Sequence, residues 1–166
     1  MKVVNKDITG KKTELKEVSN YASLVDFYTA FNHQDFALME QNGLMNEQAS
    51  MSNPLGGVKR GWLEINEVYK KIFNGKAKVY VEFYNYSINA SENMFIEGGR
   101  ERGLLEINNK KIDLAIRTSR TYCLINDEWK QLHHHGSMDN PEMLARYQNN
   151  LIKNKLEIDD ELRTFK

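Results

Sequence analysis

The sequence holds little of what marks several protein classes. It has one cysteine, Cys123, in 166 residues, which excludes an internal disulfide and fits a reducing compartment, so the cytoplasm is the expected location. It lacks net charge: 23 basic residues face 23 acidic ones, leaving no overall basic field to hold nucleic acid or an anionic membrane surface. It has no apolar run approaching the roughly 18 residues that span a bilayer, and its N-terminus has no apolar core of signal-peptide length, so membrane insertion is not expected. Glycine-rich dinucleotide and phosphate-loop patterns and the Gly-x-Ser-x-Gly pattern are absent, so neither a nucleotide cofactor nor a serine hydrolase is expected. The 2 prolines, Pro54 and Pro141, both fall at element ends.

What is present describes one domain. The chain is 40% hydrophobic, long enough for a single core and too short for two ordinary domains. We read residues 1–18 as a polar, Lys-rich arm or short hairpin, 19–150 as the domain and 151–166 as a helical tail. From Asn20, Leu24, Phe27, Tyr28, Phe31, Phe36, Leu38 and Met39 recur at helical spacing, with Ser19, Asn20 and Ser23 as cap candidates. A bend is expected at Asn32 to Asp35, a second short helix after Asp35, and a stop near Asn42-Gly43. Ala49 to Leu55, containing SMSNPL, reads as a short strand closed by Pro54 and Gly56-Gly57. Trp62 to Phe73 returns to helical spacing and stops at Asn74-Gly75. The period then becomes two in VYVEFYNYSI, ENMFIEGGRERGLLEI, KIDLAIRTSRTYCLI and EWKQLHHHGS, separated by turns at Ala90-Ser91, Asn108-Asn109 and Asn126-Asp127. A last helix runs from Pro141 through Leu144, Tyr147, Leu151 and Leu156, capped by Asn140. The order implies an α+β fold: helices on one face of an antiparallel meander, with a pocket between helices and sheet.

Five segments, SLVDFYTAFNHQDF, SMSNPLGGVKRGW, RERG, SRTYCLINDEWKQLHHHGS and NPEMLARYQ, together resemble the SnoaL-like branch of the nuclear transport factor two superfamily. The resemblance implies a cone-shaped fold whose curved sheet and three helices enclose a pocket, commonly in a homodimer. Its members include steroid isomerases, polyketide cyclases, dehydratases and the association domain of a calmodulin-dependent kinase. Carried over residue by residue, the isomerase chemistry thins out. Asn53 stands where the isomerase has its aspartate base, and an amide cannot take the proton. Phe27 stands where its tyrosine donor sits, with Tyr28 rotated about 100° away around the helix. The second acidic donor falls near Arg120. The kinase association domain matches through Arg120, Trp129 and His133 with His135, which implies a pocket arginine able to hold a carboxylate.

Strand parity organises the remaining candidates. His133 and His135 share one face and His134 takes the other. We assign His133 and His135 to the inner face with Arg120, as acid, base or polar anchor near neutral pH. Two histidines at that spacing can also ligate a metal, but a third ligand, Glu101 or Glu97, is needed, and no metal is expected. The bland alternative is that these histidines fill a partly polar sheet interior. Arg120 shares parity with Ile112, Leu114, Ile116 and Tyr122. A buried guanidinium needs an anion, either Glu101 or Glu97 as a structural ion pair or a ligand carboxylate or enolate. Glu101 points opposite to Arg100 and Arg102 and, if inside, is the missing base. Trp62, Trp129 and Tyr84 are candidate ligand contacts, though packing is their commoner use. Cys123 has no activating partner and reads as inert.

These observations lead to a domain that binds a small, partly apolar organic molecule, carboxylate-bearing if Arg120 is free to meet one. The catalytic candidates are His133, His135 and Glu101; the ligand contacts are Arg120, Asn53, Phe27, Trp62, Tyr84 and Trp129. The expectation is cofactor-free isomerase, cyclase or dehydratase chemistry; a non-catalytic binding or oligomerisation module is the alternative.

Overall fold

The first helix begins where a serine side chain closes its open end. In the computed structural model, which describes residues 2–4, 6–11, 19–54 and 56–150, Ser19 Oγ accepts the Ala22 N–H and starts α1 (Asn20–His33). Gln34 ends it in a left-handed conformation, with φ of 56°. Asp35 then accepts the Leu38 N–H and opens α2 (Phe36–Asn42). The expected bend is thus a left-handed stop followed at once by a new cap. The third helix, α3 (Gly61–Phe73), buries Trp62, Ile65, Tyr69 and Phe73 along one face. Asn140 accepts the Met143 N–H, and residues 141–150 are helical. The continuation expected through Leu151 and Leu156, the tail 151–166, residues 12–18 of the arm and Leu55 lie outside the described residues.

Seven strands form one sheet: β1 (Lys2–Val4), β2 (Ser50–Ser52), β3 (Val58–Arg60), β4 (Lys78–Ala90), β5 (Met94–Ile107), β6 (Lys110–Ile125) and β7 (Glu128–Met138), in the order β1-β4-β5-β6-β7-β2-β3. The long strands β4 to β7 make the expected antiparallel meander. Two features were not foreseen. The strand β3 extends the short β2, which itself joins β7 in parallel with Ser50 opposite His133. The N-terminal arm adds β1 to the edge of β4 and buries Ile8, 2% exposed, against the Phe83 backbone. With helices packed on one face of a curved sheet, the architecture is the α+β cone.

Alternation along β6 is uninterrupted: Ile112, Leu114, Ile116, Thr118, Arg120 and Tyr122 are all buried. Two bulges break it elsewhere. In β4 the register jumps between Tyr84 and Ser87, at Asn85 with φ of 46°. Phe83 and Tyr86, three residues apart, therefore both face inward and stack with centroids 4.4 Å apart. In β7, Tyr122 opposes Gln131 while the adjacent Thr121 opposes His133, which leaves Leu132 as the extra residue. Gly99 matters for the same region. A Cβ there would lie 2.5 Å from the Tyr86 Cβ and 2.8 Å from the Phe83 ring. Its missing side chain lets these rings pack between Glu97 and Glu101, the two acidic residues that flank it on the inner face of β5.

Candidate functional site

Helices and sheet enclose a cavity of about 380 Å³. Phe27 and Phe31 of α1, Val68, Tyr69 and Ile72 of α3, and Val79, Val81, Leu105, Leu114, Ile116 and Met138 of the sheet make its walls apolar. Asn53 and Pro54 after β2, Lys71 of α3 and Tyr147 of the last helix also line it. Its charged end is Arg120 with Glu101, beside His134.

Arg120 is 0% exposed and organises that end. Its Nη1 donates to Tyr28 Oη at 2.7 Å and to Glu97 Oε1 at 3.0 Å, and its Nη2 donates to Glu101 Oε1 at 2.6 Å. The guanidinium carbon lies 4.0 Å from the Phe27 ring centre and 4.9 Å from that of Tyr28. Burial opposes its charge, but Tyr28, Glu101 and Glu97 more than offset that and hold its pKa well above the ordinary value. Tyr28 donates to Glu101 Oε1 at 2.8 Å. Glu101 therefore takes two donors on one oxygen, while Glu97 takes one. Glu101 is thus the more strongly held acceptor of the pair. Glu97, 0% exposed, is pushed up to about 7 by burial, with Arg120 pulling the other way.

His134 completes the cluster. Arginine has only donors, so the 3.4 Å contact from Arg120 Nη2 makes His134 Nε2 the acceptor and leaves the proton on Nδ1. Burial, then the charge of Arg120, holds its pKa well below the histidine range, so the ring is neutral at pH 7.

The structure rearranges the expected assignments. Glu101, Arg120, Phe27 and Asn53 do line the cavity. His133 and His135 do not share the inner face with Arg120. His133 Nδ1 and Ser50 Oγ share a 2.7 Å hydrogen bond between β7 and β2, His135 is exposed, and His134 stands opposite Arg120 in the register. The cause is the extra residue Leu132: odd-numbered residues face inward at Trp129 and Gln131, and even-numbered ones from His134 on. Tyr84 is likewise outside the cavity, on the outer face with its ring 4.8 Å from the Arg102 guanidinium. The bulge at Asn85 gives the inner position to Tyr86. Trp62 is buried against Gly43, where a Cβ would lie 2.3 Å from its ring, and Trp129 packs edge-on to Phe95 at 4.9 Å; both serve the core. Tyr28, expected to turn away, reaches both Arg120 and Glu101, because the guanidinium lies under α1 and spans the two neighbouring rings. Its one sequence signal was its place in the helical apolar series.

Among the described residues no cluster of three or more His, Cys, Asp or Glu is arranged to hold a metal ion, and no helix is long and apolar enough to cross a membrane.

The model of the SnoaL-like domain matches residues 22–141. No curated protein sequence matches the chain. Among solved structures, a candidate dehydratase of the NTF2-like family from Streptomyces avermitilis is similar at 15% identity and a TM-score of 0.65, covering 71% of this chain and 92% of its own. An NTF2-like superfamily protein from Salmonella enterica superimposes with a TM-score of 0.64 at 20% identity, over 72% of this chain and 87% of that one. A candidate calcium/calmodulin-dependent protein kinase II association domain from Xanthomonas campestris gives 0.63 at 16% identity, over 81% and 97%. At these identities the likeness is one of fold.

Proposed function

Since the chain belongs to the SnoaL-like domain family, we propose that it binds a small, largely apolar organic molecule in the cavity and acts on it as a cofactor-independent isomerase, cyclase or dehydratase, with Glu101 taking the substrate's proton. One arrangement carries this reading: a carboxylate at the end of an apolar chamber, held through a single oxygen by Arg120 and Tyr28. Both donors use Oε1, so Oε2 keeps its lone pairs for an O–H, N–H or activated C–H of the ligand.

The proton step balances within these residues. Glu101 accepts a proton and becomes neutral, and the electron pair left on the substrate delocalises into a neighbouring acceptor group. Arg120, released from the full charge of Glu101, stabilises that negative charge from a buried, low-dielectric position. Return of the proton to another atom gives an isomer; its delivery to a departing hydroxyl gives elimination. Neutral His134 beside a guanidinium is a poor base and is better suited to orienting Arg120. A ligand carboxylate suits this end less well than the sequence suggested, because the guanidinium is already met by Glu97 and Glu101.

A screen of enones, hydroxy-ketones and polyketide-like compounds should yield a substrate, and Glu101→Gln should then lower kcat about 10²–10⁴-fold while ligand still raises the melting temperature. Full turnover by Glu101→Gln would remove Glu101 from the chemistry. A non-catalytic module is the second reading, favoured by Asn53 and Phe27 at the positions where the resembling isomerases carry acid-base groups. It predicts thermal stabilisation by ligand with no product.

A homodimer belongs to the same proposal. Met94 and Ile96 stand exposed on the outer face of β5, and a second copy covering them would remove that apolar surface from water. Light scattering at micromolar concentration should report twice 19.4 kDa; the mass of one chain would contradict it.

A further inference from the structure

We propose that Glu97, which does not line the cavity, determines the charge that the cavity floor offers a ligand: with its carboxyl protonated the Arg120 cluster takes an uncharged donor, and with it ionised the cluster selects an ammonium group. The inference rests on the reading of Glu101 as the ligand-facing carboxylate.

Charge counting motivates it. Two carboxylates meet one guanidinium, and both are buried. The groups that face Glu97 come from every element around it. They are Tyr28 of α1, Tyr86 of β4, Glu101 of β5, Arg120 and Tyr122 of β6, and, beyond the guanidinium, His134 of β7. Burial keeps the three tyrosines protonated and His134 neutral. Arg120 is then the one cation bonded into the cluster among the described residues. A net charge of zero requires a proton on one carboxylate, and Glu97 has the place for it. Its Oε1 accepts from Arg120, whereas its Oε2 is buried without a hydrogen-bond partner. Glu101 instead takes two donors, Tyr28 and Arg120, on its Oε1, and its Oε2 is not among the buried oxygens left without a partner, because Glu101 lines the cavity. Loss of the Glu97 proton leaves the buried cluster with one uncompensated negative charge, and Glu101 is the carboxylate of the pair that lines the cavity. Burial places this loss near pH 7.

The side chain is therefore a specificity-determining residue that acts through Arg120, without contact to the ligand. The carboxylate pair at one guanidinium is possible because Gly99 lies between Glu97 and Glu101 and gives its side-chain space to Phe83 and Tyr86.

The test uses the full chain and two probes of one skeleton, hexylamine and hexanol. The amine, with a pKa near that of lysine at about 10.4, stays protonated at both pH 6 and pH 8.5. Calorimetry with the wild type should show hexylammonium binding about tenfold more tightly at pH 8.5 than at pH 6, within the range of ordinary coupling between sites, with hexanol unchanged. Glu97→Gln, which keeps size and acceptor but cannot ionise, should bind both probes alike at the two pH values. A pH-dependent rise that persists in Glu97→Gln, or hexanol binding by a wild type that shows no rise for the amine, overturns the inference. Should Glu97→Gln fail to fold, proton release on binding hexylammonium at pH 7, read in buffers of different ionisation enthalpy, decides the matter in the wild type; no release overturns it. If neither probe binds, or if Glu101→Gln binds both as the wild type does, the ligand site at Glu101 is itself wrong and the inference falls with it.

Discussion

Arg120→Ala is expected to destabilise the fold by about 3–5 kcal/mol, the range for removing one partner of a buried ion pair. The reason lies in what is left behind. Arg120 donates to Tyr28, Glu97 and Glu101 and stands beneath the ring of Phe27. Alanine leaves two buried carboxyl groups with no cation and opens a void under α1. Neutralising both carboxyls by proton uptake limits the loss but does not restore the hydrogen bonds. Arg120→Lys should recover only part of the stability, because an ammonium cannot fork to three partners on one strand and a helix while stacking under an aromatic ring. Urea denaturation at pH 7 measures both variants. An Arg120→Ala protein within about 1 kcal/mol of the wild type would mean that the cluster contributes little beyond packing.

The stability of the wild type relative to Glu97→Gln should fall by about 2.5 kcal/mol between pH 5 and pH 8, from the displacement of Glu97 from 4.5 to about 7. Its folded pKa is raised, by burial first. Between these values the native protein holds a proton that the unfolded chain has released, so each step up in pH favours unfolding. The contribution is fully present below the unfolded value and is lost as pH rises through the folded one, after which the difference levels off. His134 works in the opposite direction: its folded pKa is depressed, so its contribution is present above the unfolded histidine value and lost as pH falls. It is common to both proteins and cancels in the difference. Urea titrations at several pH values should therefore diverge for the two proteins; parallel curves would show that Glu97 is ionised throughout or touches solvent.

Much of the site was legible one strand at a time. Arg120 belongs to six consecutive inward positions of β6, and that unbroken alternation placed it correctly. Glu101 likewise opposes Arg100 and Arg102 along β5, whose own alternation of exposed and buried residues runs cleanly from Met94 to Glu101. The errors cluster at the two bulges. His133 and His135 follow Trp129 by even steps and inherit its face only in a strand without an extra residue. Tyr84 and Tyr86 are two apart, yet lie on opposite faces of a bulge. A run of three identical histidines carries no signal that distinguishes one parity from the other, since a shift by one residue maps histidine onto histidine.

The amino-acid sequence by itself determined the order of the helices and the four long strands, the caps at Ser19 and Asp35, the antiparallel meander and the burial of Arg120, because each depends on neighbours within a few residues of chain. It also confined the acidic partners of Arg120 to Glu97 and Glu101. The tertiary structure decided what depends on register between strands and on a helix laid across them. It chose His134 as the inner histidine, brought Tyr28 onto Glu101 and gave both carboxylates to one guanidinium. Register is set by pairing energy summed over whole strands and by where an extra residue is absorbed, and no local pattern in this chain records either.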